Sequence, residues 1–368
     1  MKVSFIDLGR LHVGIMEELN ASIARVFASS AFILGEETER FEHEFASYIG
    51  TRHAIGVSNA SDGITMVLEA LGIGPGYEII TAGHGAFMTV ESIINAGVQP
   101  RLVDVDPYLY TIDPARLEEA INTRTRAIMP VHLYGNPVDL TKIASIAARH
   151  NIPIIEDAAQ AHGARFNTTK IGSVGIAAVF SFYPGKNLGA CGDAGAITTS
   201  DDALAKKLRM IRDHGREEKY IHGTAGRNAR LDGLQAAILR TKLPYLDSWN
   251  KHRRGIAEKY CHAFQHTELI LPREQLNGFH VYHLFVVRHA TREKLRQYLA
   301  SQGIQTGLHY PIALHRQPAF STRFPSNPLP IAETCAQEVL SLPCFPGMTD
   351  GEINLVIETI LQWFDKKK

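Results

Sequence analysis

Between residues 54 and 200 the chain alternates short apolar runs with stretches of helical periodicity, and this alternation limits the fold more than any other feature. AIGVSNA (54–60), EIITA (78–82), QPRLVDVD (99–106), AIMPVHLYG (127–135), PIIEDAAQ (153–160) and AVFSFYPG (178–185) each read as a buried strand that ends in small or polar residues. SDGITMVLEALG (61–72), MTVESIINAG (88–97) and DLTKIASIAARHN (139–151) supply helices between them. Strands that alternate with helices predict an α/β unit built on a mainly parallel sheet.

The flanking segments extend this reading. GIMEELNASIARVFASS (14–30) sets Ile15, Leu19, Ile23 and Val26 on one stripe at spacings of three and four. EETERFEHEFASYIG (36–50) predicts a second amphipathic helix with Gly50 as its C-cap. DDALAKKLRMIRDHG (201–215) and residues 231–264 carry long helical patterns, the second crossing into another unit. Beyond it, HVYHLFVVR (280–288) reads as a strand, TREKLRQYLASQG (291–303) as a helix, and a last helix falls near 350–364. A chain of 368 residues, at about 150 per domain, suggests two domains. The boundary is expected near 240, with a large domain at 1–240 and a smaller α+β domain at 241–368.

Composition removes several function classes. Lys plus Arg and Asp plus Glu each number 38, so no basic excess points to nucleic acid or an acidic membrane surface. No stretch approaches the roughly 18–20 apolar residues that span a bilayer. The N-terminus lacks the apolar core of a signal peptide. The four cysteines form no CxxC pair, which favours a reducing, cytoplasmic setting over a disulfide framework. GxGxxG after a strand, GxxxxGK[ST], GxSxG and HExxH are all missing. The seventeen histidines are scattered, and no metal site is expected.

In a parallel α/β sheet, ligands bind beyond the carboxyl ends of the strands. Three segments bring chemistry there. NIPIIEDAAQ delivers Glu156 and Asp157; AVFSFYPGKN delivers Ser181, Phe182, Tyr183 and then Lys186; VSNASDG places Ser58, Asn59, Ala60 and Ser61 where a helix opens. Singly, each has a plain structural explanation. Asp157 would cap a following helix, Lys186 would be a solvated loop lysine, and the serines would be N-caps. Together they supply an anion cup at a helix N-terminus, a carboxylate for a ring nitrogen and a lysine able to form a Schiff base. Those are the three fixings of pyridoxal phosphate.

At these residues the sequence resembles the fold-type-I, pyridoxal-phosphate-dependent nucleotide-sugar aminotransferases of the DegT/DnrJ/EryC1/StrS family. The resemblance runs through FILGEETERFEHEFASYIG, VSNASDGITMVLEALGIGPGYEIIT, VDVDPYLYTIDPARLEEAINTRTRAIMPVHLYGNPVDL, IIEDAAQAHGA, SFYPGKNLGACGDAGAI, GRNARLDGLQAAILRTKL, HVYHLFVV and HYPIALHRQPAF, nearly the whole chain. It implies a large domain with a mixed, mainly parallel sheet between helices, and a small α+β domain. Lys186 would carry the cofactor and shuttle the proton. Asp157 would pair with the pyridinium nitrogen, Gln160 would lie near the phenolic oxygen, and Ser61, Ser181 and the Ala60 amide would hold the phosphate. Asn228 would reach the phosphate from a second subunit, which implies a homodimer with shared sites. Tyr183, His309 and Tyr310 would face the sugar, and DHGREEKY (213–220) would meet the nucleotide.

The implied reaction is transamination of a nucleotide-linked keto-deoxysugar with L-glutamate as amino donor, and the wording is nearest to enzymes that aminate C3 of thymidine-diphosphate 3-keto-6-deoxyhexoses. C4-aminating members share the same core motifs. The related 3-dehydratases replace the lysine by histidine, whereas Lys186 is present here. A non-catalytic regulator on the same scaffold would be expected to lose Lys186 or Asp157. One departure stands out: where the family places a ring-stacking aromatic, this chain has Ala86. In an extended segment the neighbouring Phe87 would point the other way. Weaker stacking, with cofactor retention leaning on the phosphate cup, is therefore expected. Cys191, five residues after Lys186, is expected to be a packing residue.

Overall fold

The computed structural model describes residues 2–320, 322–324 and 328–366. Seven strands form the central sheet: β1 (His53–Val57), β2 (Glu78–Ala82), β3 (Gln99–Val103), β4 (Thr125–Met129), β5 (Ile155–Asp157), β6 (Ala177–Ser181) and β7 (Gly195–Thr199). Their spatial order is β1-β7-β6-β5-β4-β2-β3, the β5–β4 junction being made by the parallel bridges Ile128–Ile154 and Val131–Asp157. Only β7 runs against the rest, pairing antiparallel with both β1 and β6. The predicted, mainly parallel sheet is thus present. The carboxyl ends of β1, β2, β4, β5 and β6 all open on one edge.

Helices cover the sheet: α1 (Met16–Ser29), α2 (Glu36–Ile49), α3 (Ala60–Ala70), α4 (Phe87–Asn95), α5 (Leu140–Arg149), α6 (Asp202–Ile211) and α7 (Gly233–Lys242). The stripe behaves as its spacing requires: Ile15, Leu19 and Val26 are buried and Ile23 partly so, and Ile15, Leu19 and Ile23 pack with Ile238 of α7. Helix α2 stops where expected, because Gly50 adopts φ +90° and returns its N–H to Ala46 O at 2.8 Å.

The helical pattern at 231–264 is broken rather than continuous. Pro244 lacks an N–H and sits in a 3-10 turn over Leu243–Tyr245; α8 (Leu246–Phe264) follows. Further on, β8 (Phe285–Arg288) pairs antiparallel with β9 (Val339–Leu342), and α9 (Arg292–Ser301) and α10 (Asp350–Asp365) pack around them. The apolar cluster of this C-terminal part also takes in Val3, whose N–H bonds Gly303 O at 3.0 Å. The first residues therefore fold back onto the last third of the chain, which the sequence pattern did not indicate.

A buried carboxylate ties the centre of the sheet to its covering loops. Glu156 is fully buried; it accepts the amides of Gly172 (3.0 Å), Val174 (2.9 Å) and Gly175 (2.8 Å) and lies 3.1 Å from His132 Nε2. Burial pushes its carboxyl up, but the His132 contact and the amides outweigh that, so its pKa lies below the ordinary value. Because successive side chains on a strand face opposite ways, Glu156 serves the fold and Asp157 faces the cleft. Glu156→Gln removes the charge from four donors and should cost about 3 kcal/mol of stability, measured by denaturant unfolding at neutral pH. Since the folded pKa is depressed, the wild-type advantage should be present above the unfolded carboxylate pKa and fade as the pH falls through the folded one.

Candidate active site

The strand ends enclose a cleft of about 740 Å³ lined by residues from distant parts of the chain. Helix α3 opens into it. Its N-cap is Asn59, whose Oδ1 takes the Asp62 N–H at 2.8 Å. That cap satisfies the third amide of the helix and leaves those of Ala60 and Ser61 at the positive end of the dipole, facing the cleft. Ser61 Oγ has no partner among the described residues, so neither it nor its amide is spent on capping. Ser58 instead donates to Asp62 Oδ2 at 2.6 Å, which also accepts from Asn59 Nδ2 at 2.8 Å. Gly195 lets β7 approach this turn: a Cβ there would lie 2.7 Å from the Asn59 carbonyl carbon and 3.0 Å from Ala60 N.

Asp157 sits at the end of β5. No helix follows it, so the capping explanation fails; its Oδ1 takes the Ala159 N–H at 3.1 Å in a turn. Its Oδ2 accepts from Thr89 Oγ1 at 2.7 Å. Thr89, on the first turn of α4, fixes the carboxylate, and no motif in the sequence marked it. Gln160 is oriented without ambiguity. Its Oε1 accepts the Tyr134 N–H at 2.7 Å, so its Nε2 is the donor, directed at Tyr310 Oη 3.0 Å away. Burial pushes the Tyr310 hydroxyl up to about 12.

Lys186 follows β6 in a tight turn, its N–H bonded to Tyr183 O at 2.8 Å. Lys186 is half-buried as a residue and lines the cleft; burial of its amine pulls the pKa down to about 8, and the negative charge of Asp157 acts in the other direction. A lysine that gives up its proton near neutrality can act as a base or nucleophile. Around it stand His162, His283 and His309, all kept neutral by burial and by the Lys186 charge. His309 lies about 4 in pKa; its Nδ1 is 2.8 Å from Ser341 Oγ, and Phe5 of the N-terminal arm stacks on its ring at 5.6 Å.

The structure brings together Lys186, Asp157, Gln160, Ala60, Ser61, Ser181, Ala86, Tyr183, His309 and Tyr310 in this one cleft. It does not bring Asn228 or the 213–220 segment there. Asn228 is exposed and pairs through its backbone with Asp213. Residues 216–222 form an exposed hairpin that carries Tyr220 at its tip. Phe87 needs a correction of reason: it begins helix α4 instead of lying in an extended segment, and it stacks on Phe320 with centroids 4.8 Å apart. It is not among the lining residues, whereas Ala86 and Met88 are. Sequence reasoning also missed Phe5, Ile6, Thr89, Asp193, Arg253 and His283 as lining residues. HVYHLFVV pointed to His283 only as a strand residue. Cys191 is exposed, not packed, with Lys242 Nζ 4.0 Å from its sulfur.

The model of the DegT/DnrJ/EryC1/StrS aminotransferase family matches residues 14–361. A "Pleiotropic regulatory protein" of Geobacillus stearothermophilus is 43% identical to this chain, with 99% of each covered. The dTDP-3-amino-3,6-dideoxy-alpha-D-galactopyranose transaminase of Aneurinibacillus thermoaerophilus is 45% identical, over 97% of this chain and 98% of its own. Among solved structures, S. venezuelae DesV in complex with a ketimine intermediate superposes with a TM-score of 0.97 at 43% identity, covering 99% of both chains. By its matched sequence, its sheet and its full-length likeness to these proteins, the chain belongs to the DegT/DnrJ/EryC1/StrS family of pyridoxal-phosphate-dependent aminotransferases.

Proposed function

We propose that this aminotransferase aminates C3 of a thymidine-diphosphate 3-keto-6-deoxyhexose, with L-glutamate as donor. The observation that carries the reading is the convergence of a depressed lysine, Lys186, an anchored carboxylate, Asp157, and the two unspent amides of α3 in one cleft. The 45% identity to a transaminase named for a 3-amino-3,6-dideoxy sugar supports the carbon.

The donor set fits pyridoxal phosphate. Ala60, Ser61 and Ser181 offer amides and hydroxyls for a phosphate, Asp157 an anion for a protonated ring nitrogen, and Lys186 an amine for the aldehyde. When bound, this cofactor supplies an electron sink for the charge left as a substrate carbon loses its proton. The chain's own residues do the rest. Thr89 and the Ala159 amide hold the Asp157 carboxylate in place. Lys186 Nζ, with its pKa drawn down to about 8, is the group that would hold and move the proton, at the donor's carbon in one half-reaction and at the sugar's C3 in the other. Gln160 Nε2, which now donates to Tyr310, would be the donor to the ring's phenolic oxygen. Tyr183, His309 and Tyr310 border the space left for the sugar, and Phe5 closes over His309.

A homodimer completes the site in this reading. Asn228 and the 216–222 hairpin are exposed and do not line their own cleft, and Val13, Phe27, Phe32 and Ile33 are exposed apolar side chains suited to a second copy. Asn228 then reaches the partner's phosphate site, and the hairpin meets the nucleotide. Residues 1–240 form the cofactor-binding domain and 241–368 a smaller domain that closes the cleft with His283, His309 and Tyr310. The free state of all four cysteines agrees with a cytoplasmic setting, and no helix among the described residues is long and apolar enough to cross a membrane.

The test is the visible spectrum of the protein loaded with pyridoxal phosphate. Its band should bleach with glutamate and return with the 3-keto sugar nucleotide but not the 4-keto one. A band unmoved by any amino donor, or restored by the 4-keto sugar alone, contradicts the proposal. Ala86→Phe should add ring stacking and tighten cofactor binding by about threefold to tenfold, measured as a dissociation constant by absorbance titration. No tightening would remove the reduced-stacking argument.

A further inference from the structure

One cleft-lining group has no role in the scheme above. His283 lies on the chain just before β8, and its ring is anchored by a run of amides whose directions are all fixed. Asn250 Nδ2 donates to the backbone carbonyl of His162 at 2.8 Å, so Asn250 Oδ1 must be an acceptor. It accepts from Asn187 Nδ2 at 2.8 Å, and the same Asn187 nitrogen donates to Val281 O at 3.1 Å. Asn187 Oδ1 is therefore an acceptor as well, and it lies 3.1 Å from His283 Nδ1. An acceptor there requires a proton on Nδ1. In a neutral ring the other nitrogen, Nε2, then carries a lone pair.

Two cations, Arg253 and Lys186, line the same cleft as this ring. Arg253, fully buried on α8, donates through Nη1 to the carbonyls of Tyr282 (3.3 Å), His283 (3.2 Å) and Cys344, and no carboxylate pairs with it among the described residues. Lys186 is the other cation in the cleft and the chain neighbour of Asn187. Beside Lys186 stand Asp157, His162, His283 and His309. Burial, then the charges of Lys186 and Arg253, keep the His283 ring well below its ordinary pKa, so it stays neutral while Lys186 is charged.

We propose that His283 Nε2 is the acceptor that receives an N–H of Lys186 whenever that amine carries the proton, making His283 a positioning residue for the proton-carrying state. The inference rests on Lys186 being the working amine of the proposed reaction. Asn187 couples the two: its backbone continues from Lys186, and its side chain sets the tautomer of His283. Lys186 and His283 both line the cleft, together with Leu284 and Leu342. The direction of the amide run, Asn250 to Asn187 to His283, thus sets which proton state of the lysine is held.

The tautomer can be read independently of any turnover. In the full-length holoprotein with ring-15N histidine, the His283 signal, assigned by its loss in His283→Gln, should show Nδ1 protonated and Nε2 unprotonated from pH 6 to 8. An Nε2–H tautomer or an imidazolium overturns the proposal, whether or not the chain proves to be a transaminase. The link to Lys186 is tested by the pH midpoint for amine-directed modification of cofactor-free protein, followed at the Lys186 peptide by mass spectrometry. Losing the acceptor should lower that midpoint by about one pH unit in His283→Leu, and His283→Gln, which keeps an acceptor oxygen, should restore most of it. Equal midpoints in wild type and His283→Leu, or no rescue by glutamine, contradict the assignment; a fall in activity alone does not support it.

Discussion

Everything at this site depends on holding a carboxylate and an amine apart yet within each other's field, in a cleft that disfavours both charges. Asp157 is 5% exposed and would be costly without donors; Thr89 and the Ala159 amide supply them. Among the described residues no carboxylate forms a salt bridge with Lys186, and burial draws its pKa down to about 8 while Asp157 limits the fall. The pair is poised rather than neutralised. A direct salt bridge would have tied up the lysine.

The sheet makes that separation possible. Parallel strands deliver their ends to one edge, and the single antiparallel strand β7 brings Gly195 beneath the opening of α3. On β5 the pleat assigns neighbouring acids to different tasks. Glu156 faces four donors and secures the loop at 172–175, while Asp157 faces the cleft. Residues that look alike in the sequence thus divide by alternation alone.

How much of this could be read from the chain follows the range of each interaction. Periodicity marks β1 to β6 and places Asp157, Lys186 and Ser61 at strand ends, because strand pattern and loop chemistry are local. The pattern marks Ala86 and Phe87 but does not show that Phe87 opens α4, because no side chain caps that helix and Phe87 packs on the distant Phe320. Thr89, Arg253 and His283 were missed as site residues for a different reason. Their function comes from contacts across 68 residues to Asp157, 91 to Cys344 and 96 to Asn187, and no local pattern encodes those. The same holds for Phe5, which reaches His309 only because Val3 is built into the C-terminal core.

The central claim is that Lys186 is the amine the fold has prepared. Loading the protein with pyridoxal phosphate, reducing it with borohydride and mapping the modified peptide tests this directly. The account predicts that the stable label lies on Lys186 and disappears in Lys186→Ala with the fold intact by circular dichroism. Label on another lysine, or undiminished labelling of the variant, would contradict it.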